Sequence, residues 1–158
     1  SPISSIGRST TPMSGSSRPR PGASHSEEIL SEADGYHEGG CFCSRVRYRL
    51  RDPVRVVVNC HCSMCRRTSG APFVSWLVVQ KDTFEFTSAT PARLDSSAHG
   101  RRYFCPACGT PVTCELDEHP SLVDVTLGSL DEPTRFTPTM EVFGDTRLPW
   151  VSSTPTKS

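Results

Sequence analysis

The sequence predicts a mostly β fold, a domain of about 110–120 residues between loose tails. Three features predict it. Short runs of β-branched and aromatic residues recur through the middle of the chain, with apolar and polar positions alternating. Turn-forming residues punctuate these runs at Pro53, Gly70, Pro72, Pro91, Gly100, Pro120, Pro133 and Pro138. Only residues 27–33 and the region after Cys65 read as locally helical.

In chain order, Val46, Tyr48 and Leu50 alternate with Arg45, Arg47, Arg49 and Arg51. That pattern is a half-buried strand with a basic outer face. Residues 54–58 are rich in valine and lead into Asn59. Residues 73–79 form the most apolar stretch, a central strand too short to cross a bilayer. Phe84 and Phe86 alternate with Thr83, Glu85 and Thr87. Residues 102–104, 112–116 and 122–127 continue the set, and Val142 with Phe143 closes it.

A chain of 158 residues accommodates one domain. Its 17 basic and 17 acidic residues cancel, which excludes a supercharged nucleic-acid tail and a polyacidic solvating segment. The balance conceals asymmetry: +3 over residues 1–26, −5 over 27–39, +6 over 40–116 and −4 over 117–158. Residues 1–26 hold nine serines and four prolines and too little apolar surface to offset their ordering entropy. We therefore expect a disordered or loosely attached tail over 1–35, the folded domain over 36–151, and a second loose tail over 152–158. The first segment lacks the apolar core of a secretory signal. It is basic and serine-rich like a transit peptide, but without leucines or helical periodicity. The expected location is the cytoplasm, with the nucleus as the alternative and no membrane partner.

Eight cysteines dominate the chemistry. They fall into Cys41 with Cys43, then Cys60, Cys62 and Cys65, then Cys105 with Cys108, and Cys114 alone. Thiolates two or three residues apart can face one ion across a tight turn, and soft sulfur favours zinc. The Cys105-Pro106-Ala107-Cys108-Gly109 run is the most specific of these signals, a zinc-knuckle turn. Seven clustered sulfurs divide as four plus three: a closed structural site and an open one. Spacing leaves the grouping open, because Cys62 and Cys65 can equally join Cys105 and Cys108. A disulfide scaffold is disfavoured, since cysteines separated by one residue rarely bridge. Cys114, among apolar residues, reads as a small buried hydrophobe.

At these clusters the chain resembles the glutathione-dependent formaldehyde-activating enzyme family, whose domain also occurs in centromere protein V relatives. The segments that carry the resemblance are GGCFCSRVRY from Gly39, CHCSMCRRTSGAPF from Cys60, RRYFCPACGTPV from Arg101, GSLDEP from Gly128 and LPW from Leu148. The resemblance implies a small stacked-sheet zinc domain of the Mss4-like, β-tent type with two Zn2+ per chain. It implies that Cys41, Cys43, Cys105 and Cys108 hold a structural ion, and that Cys60, Cys62 and Cys65 hold an open catalytic one. It implies a carbon–sulfur lyase or synthase forming S-(hydroxymethyl)glutathione, with glutathione or another small thiol as substrate. Two departures stand out. Ser44 replaces a glycine usual in the family, and Glu141 stands where many members carry a histidine.

Around the open ion, one of Arg66 and Arg67, with Arg66 the candidate, is expected to clamp a substrate carboxylate or donate to a ligand sulfur. Glu141 is expected as a general base or specificity group, and His61, between two ligands, is expected to turn its ring away from the metal. Phe73 and Trp76 read as core or pocket lining. The competing classes are an enzyme of this fold acting on a non-glutathione molecule, and a zinc-stabilised nucleic-acid or chromatin module. The second is disfavoured because the arginines lack interleaved aromatics. A homodimer is the default assembly.

Overall fold

The computed structural model describes residues 35–152. The expected helix over 27–33 and nearly all of both expected tails lie outside the described residues. The described chain is built mostly from strands: β1 (Tyr36–Gly40), β2 (Arg47–Arg51), β3 (Val56–Cys60), β4 (Val74–Gln80), β5 (Phe84–Phe86), β6 (Ala92–Ser97), β7 (Gly100–Phe104), β8 (Pro111–Leu116), β9 (Leu122–Thr126) and β10 (Met140–Val142). One helix, α1 (Ser63–Ser69), follows β3. No helix among the described residues is long and apolar enough to cross a membrane.

The strands form two sheets, a small one in the order β1-β2-β5 and a large one in the order β10-β3-β4-β9-β8-β7-β6. All pairings are antiparallel except β10 with β3. The sheets stack through one core in which Tyr48 and Leu50 of β2 pack with Leu77, Val79, Val123 and Val125 of the large sheet. These side chains recur at every second position, as a buried sheet face requires. A second apolar cluster is built from β3, β4, β8 and α1. It contains Val58, Cys60, Cys65, Val74, Trp76 and Cys114.

Two strands escape the sequence pattern. The first is β1, which carries consecutive glycines. They are needed there, because a Cβ on Gly39 would lie 2.6 Å from the Ser129 carbonyl oxygen and one on Gly40 would lie 2.6 Å from the Val46 carbonyl oxygen. The second, β6, is a polar, largely exposed edge strand without an apolar stripe. Other expectations shift. Gly100 opens β7 instead of lying in a connector, and α1 starts two residues before Cys65. Phe143 lies outside β10, in the left-handed region at φ 56°.

The basic outer face of β2 is neutralised locally. Arg47 donates to Asp131 Oδ1 at 2.9 Å, Arg49 pairs with Glu85, and the Arg49 and Arg51 guanidinium groups lie over the Tyr36 ring at 5.1 and 5.6 Å. A stripe so engaged has few free charges for phosphate contacts.

Candidate metal centres and the cavity beside the cysteine trio

The structure gathers seven of the eight cysteines into two clusters. Cys41, Cys43, Cys105 and Cys108 form one, Cys60, Cys62 and Cys65 the other, and within each all sulfurs lie within 4.8 Å of one another. All eight cysteines are free thiols, so no disulfide framework is present. The grouping that spacing left open is therefore the one that the resemblance implied.

The four-sulfur cluster joins the loop after β1 to the turn between β7 and β8. Cys41 and Cys105 are buried. The Cys41–Cys43 and Cys43–Cys105 sulfur separations are 3.5 and 3.7 Å. The knuckle is closed by backbone bonds, Cys105 N donating to the Thr110 carbonyl at 3.0 Å and Gly109 N to the Cys105 carbonyl at 2.9 Å, with Gly109 at φ +78°. The Thr110 hydroxyl accepts from Phe42 N at 3.1 Å and lies 3.2 Å from Cys108 Sγ. That second contact is the main reason the Cys108 thiol is held down at about 5.

Ser44 closes the first loop at φ 61°, its amide donating to the Cys41 carbonyl at 2.9 Å. A side chain pays a steric penalty there that glycine avoids. Ser44→Gly is expected to stabilise the fold by about 1 kcal/mol, read as a higher denaturant midpoint at unchanged slope. A lower midpoint would show that the Ser44 side chain contributes more than its backbone strain costs.

The three-sulfur cluster has one sulfur fewer, with Cys60 and Cys65 buried and Cys62 partly buried. Cys60 ends β3, Cys62 caps α1, and Cys65 lies in the first turn of α1, its amide donating to Cys62 Sγ at 3.3 Å. The Cys60 thiol hydrogen-bonds to Cys65 and the Arg102 charge lies nearby, so the Cys65 thiol is lowered to about 5. The same hydrogen bond and burial push the Cys60 thiol up.

Beside this trio is a cavity of about 340 Å³ whose wall includes all three cysteines. The large sheet supplies its floor. Register places Asp124 of β9 opposite Cys114 of β8, and Cys114 opposite Arg102 of β7, so the three lie in a row across adjacent strands. Arg102 donates to Cys65 Sγ at 3.5 Å, and its guanidinium carbon lies 5.7 Å from the centre of the buried Trp76 ring. Burial and then the Cys65 charge raise the Asp124 carboxyl to about 6. Cys114 also lines the cavity; burial pushes its thiol up to about 11, so it behaves as the small neutral side chain expected of it.

The residues expected to complete the site are arranged differently. Neither Glu141 nor Arg66 lines the cavity. On β10 the side chains alternate, so Val142 enters the cavity wall while Glu141 faces away. There Glu141 accepts from Arg147 at 2.9 Å and lies 3.5 Å from His61 Nε2. His61 is fully buried, its ring 5.3 Å from that of Phe73, and it too is absent from the cavity wall. The Arg66 Nε atom is buried with no hydrogen-bond partner among the described residues, and Arg67 is exposed. Arg102 and Asp124 hold the polar positions of the cavity floor instead.

Comparison with known proteins agrees with this architecture. A crystal structure of a Rhodobacter sphaeroides protein superimposes with a TM-score of 0.55 at 19% identity, covering 66% of this chain and 99% of that one. It bears on the fold alone. A Halomonas elongata protein named for the glutathione-dependent formaldehyde-activating enzymes is 32% identical over 102 residues, 60% of this chain and 65% of the relative. An uncharacterized lyase of Schizosaccharomyces pombe is 28% identical over 74 residues, 47% of this chain and 53% of that one. The chain thus spans just under two-thirds of the first of these relatives and about half of the second. The family model for glutathione-dependent formaldehyde-activating enzymes matches residues 36–146, from the start of β1 to beyond β10. This chain, with its stacked sheets and two cysteine clusters, belongs to that family.

Proposed function

We propose that the protein is a zinc-dependent carbon–sulfur lyase and synthase that interconverts a thiol plus formaldehyde, or a similarly small aldehyde, with their S-hydroxyalkyl adduct. The observation that supports this reading is the trio of Cys60, Cys62 and Cys65 in the wall of a cavity large enough for a small molecule.

The donor sets fit zinc. Sulfurs bound tetrahedrally at about 2.3 Å lie about 3.8 Å apart, and the four-sulfur cluster shows 3.5 and 3.7 Å. Cys41, Cys43, Cys105 and Cys108 complete a closed structural shell, whereas the trio is one ligand short. When bound at the trio, zinc supplies a coordination position for the substrate sulfur and favours its thiolate form.

The chain's own groups account for the rest. In the synthetic direction the thiolate electron pair forms the carbon–sulfur bond, the carbonyl π pair moves to oxygen, and that oxygen takes a proton. Asp124 supplies the proton. In the lyase direction its carboxylate recovers the hydroxyl proton as the carbon–sulfur pair returns to sulfur. Arg102, against Cys65, offsets the negative charge concentrated at the thiolates. The Trp76 ring and Val58 limit access of water beside the reacting sulfur.

Metal analysis and exchange NMR test this reading. We expect two zinc ions per chain and faster equilibration between thiol, formaldehyde and adduct. Asp124→Asn should slow that exchange by about 10²-fold or more with zinc content unchanged. An unslowed variant removes Asp124 from the proton step. Fully zinc-loaded protein that accelerates exchange for no thiol refutes the proposal.

A further inference from the structure

The cavity beside the trio has a chemical character that the family's name does not convey. Above Arg102 and Asp124 its walls are apolar, formed by Val58, Trp76 and Val142, and its rim carries Met64, Leu116 and Phe143. These three rim side chains are 46%, 36% and 59% exposed and share the rim with the exposed Ser97, His99 and Glu118, so nearly half of the large exposed hydrophobic side chains among the described residues line this one opening. Scattered exposed hydrophobic side chains need no explanation, but a collar of them around a concave site does.

Phe143 is held in this collar against its own preference. Its φ of 56° lies in the left-handed region, where a bulky side chain is a genuine outlier. Hydrogen bonds enforce the conformation. The Thr146 hydroxyl donates to the carbonyls of Phe143 at 3.0 Å and His61 at 3.1 Å, and His61 N donates to the Val142 carbonyl at 3.1 Å. The strained turn is thereby tied to the segment between two of the trio's cysteines.

The charges point the same way. Among the described residues the only arginine or lysine lining the cavity is Arg102, already directed at Cys65 Sγ and the Trp76 ring. Two carboxylates, Asp124 and Glu118, line the same cavity, and the exposed His99 stands at its edge. Glutathione carries a pair of carboxylates, which call for bidentate arginine partners and are repelled by acids.

We infer that this cavity selects a thiol with an apolar body, such as an aryl or alkyl thiol, over a carboxylate-bearing peptide thiol. The inference rests on the thiol-handling reading above. The collar buries the apolar body while the sulfur reaches the trio.

The test is calorimetric binding of benzyl mercaptan and of glutathione to the zinc-loaded protein, repeated with Phe143→Gly. Glycine suits the backbone at this position, so the variant removes the ring without endangering the fold, and its melting temperature checks this. Benzyl mercaptan should bind about tenfold or more tightly than glutathione. Phe143→Gly should lose most of that advantage, with glutathione affinity unchanged. Equal or tighter binding of glutathione overturns the selectivity and leaves the thiol-handling reading intact. Retention of the full preference by the variant also overturns it, because the collar then does not set it. Failure of both thiols to bind zinc-loaded protein overturns the selectivity and the thiol-handling reading together.

Discussion

Cys105→Ser is expected to unfold the domain or bring it close to unfolding. Cys105 has no solvent exposure, and its sulfur lies 3.7 Å from that of Cys43, 62 residues earlier in the chain. The four-sulfur cluster is where the small sheet is fastened to the β7–β8 hairpin of the large one. If the cluster holds zinc as proposed, the ion contributes folding free energy directly, about 10–16 kcal/mol in small zinc domains. The net stability of an average domain is only about 5–15 kcal/mol. Losing one of four ligands therefore removes an amount comparable to the whole margin. The hydroxyl that replaces the thiol also enters a pocket shaped for a soft anion. Circular dichroism and metal analysis check the prediction: loss of the cooperative transition, and zinc retained at no more than the trio. A variant that melts like the wild type would show that the sheets are held by their shared core alone.

The fold could be read from the sequence where burial is written into alternation. Tyr48 and Leu50 alternate with arginines and proved to be core; the valines before Asn59 and the apolar run after Pro72 proved to be β3 and β4. The pattern fails where other forces decide. The first strand, Tyr36–Gly40, is set by close backbone approach, which demands glycine and suppresses strand propensity. The sixth, Ala92–Ser97, needs only one hydrogen-bonded neighbour and no apolar face.

The site was legible in one respect and not in another. Thiol spacing picked out the seven cysteines that the structure gathers into two clusters, and only resemblance indicated how they group. Arg102 and Asp124 carried no local signal. In LVDVT the aspartate reads as an ordinary outward residue between Val123 and Val125, and only the pairing of β9 with β8 puts it beside Cys114 in a cavity. Arg102 is one of two consecutive arginines, and its partner Arg101 pairs with Asp117 at the surface. Strand parity also decides Glu141. One residue of register separates it from the cavity wall, where Val142 lies.

Cys62→Ser is expected to have the opposite profile to Cys105→Ser: exchange activity lost, fold kept. Cys62 caps α1, its side chain accepting from Cys65 N. Serine is among the best residues at that position and restores the same acceptor, so the helix start survives. The residue is only partly buried, and the four-sulfur site is untouched. What changes is the metal-binding power proposed for the trio. A neutral hydroxyl is a poor substitute for a thiolate, and a site already one ligand short cannot spare another. Zinc content should fall from two ions to one, the melting temperature should move by only about 5 °C, and thiol–formaldehyde exchange should return to its uncatalysed rate. Arg102 and Asp124 remain in place in this variant, so residual acceleration would measure what they contribute without the metal. If the exchange rate stays at the wild-type level, the chemistry lies elsewhere. If the variant unfolds as Cys105→Ser does, the trio is a second structural clamp and the cavity beside it is not an active site.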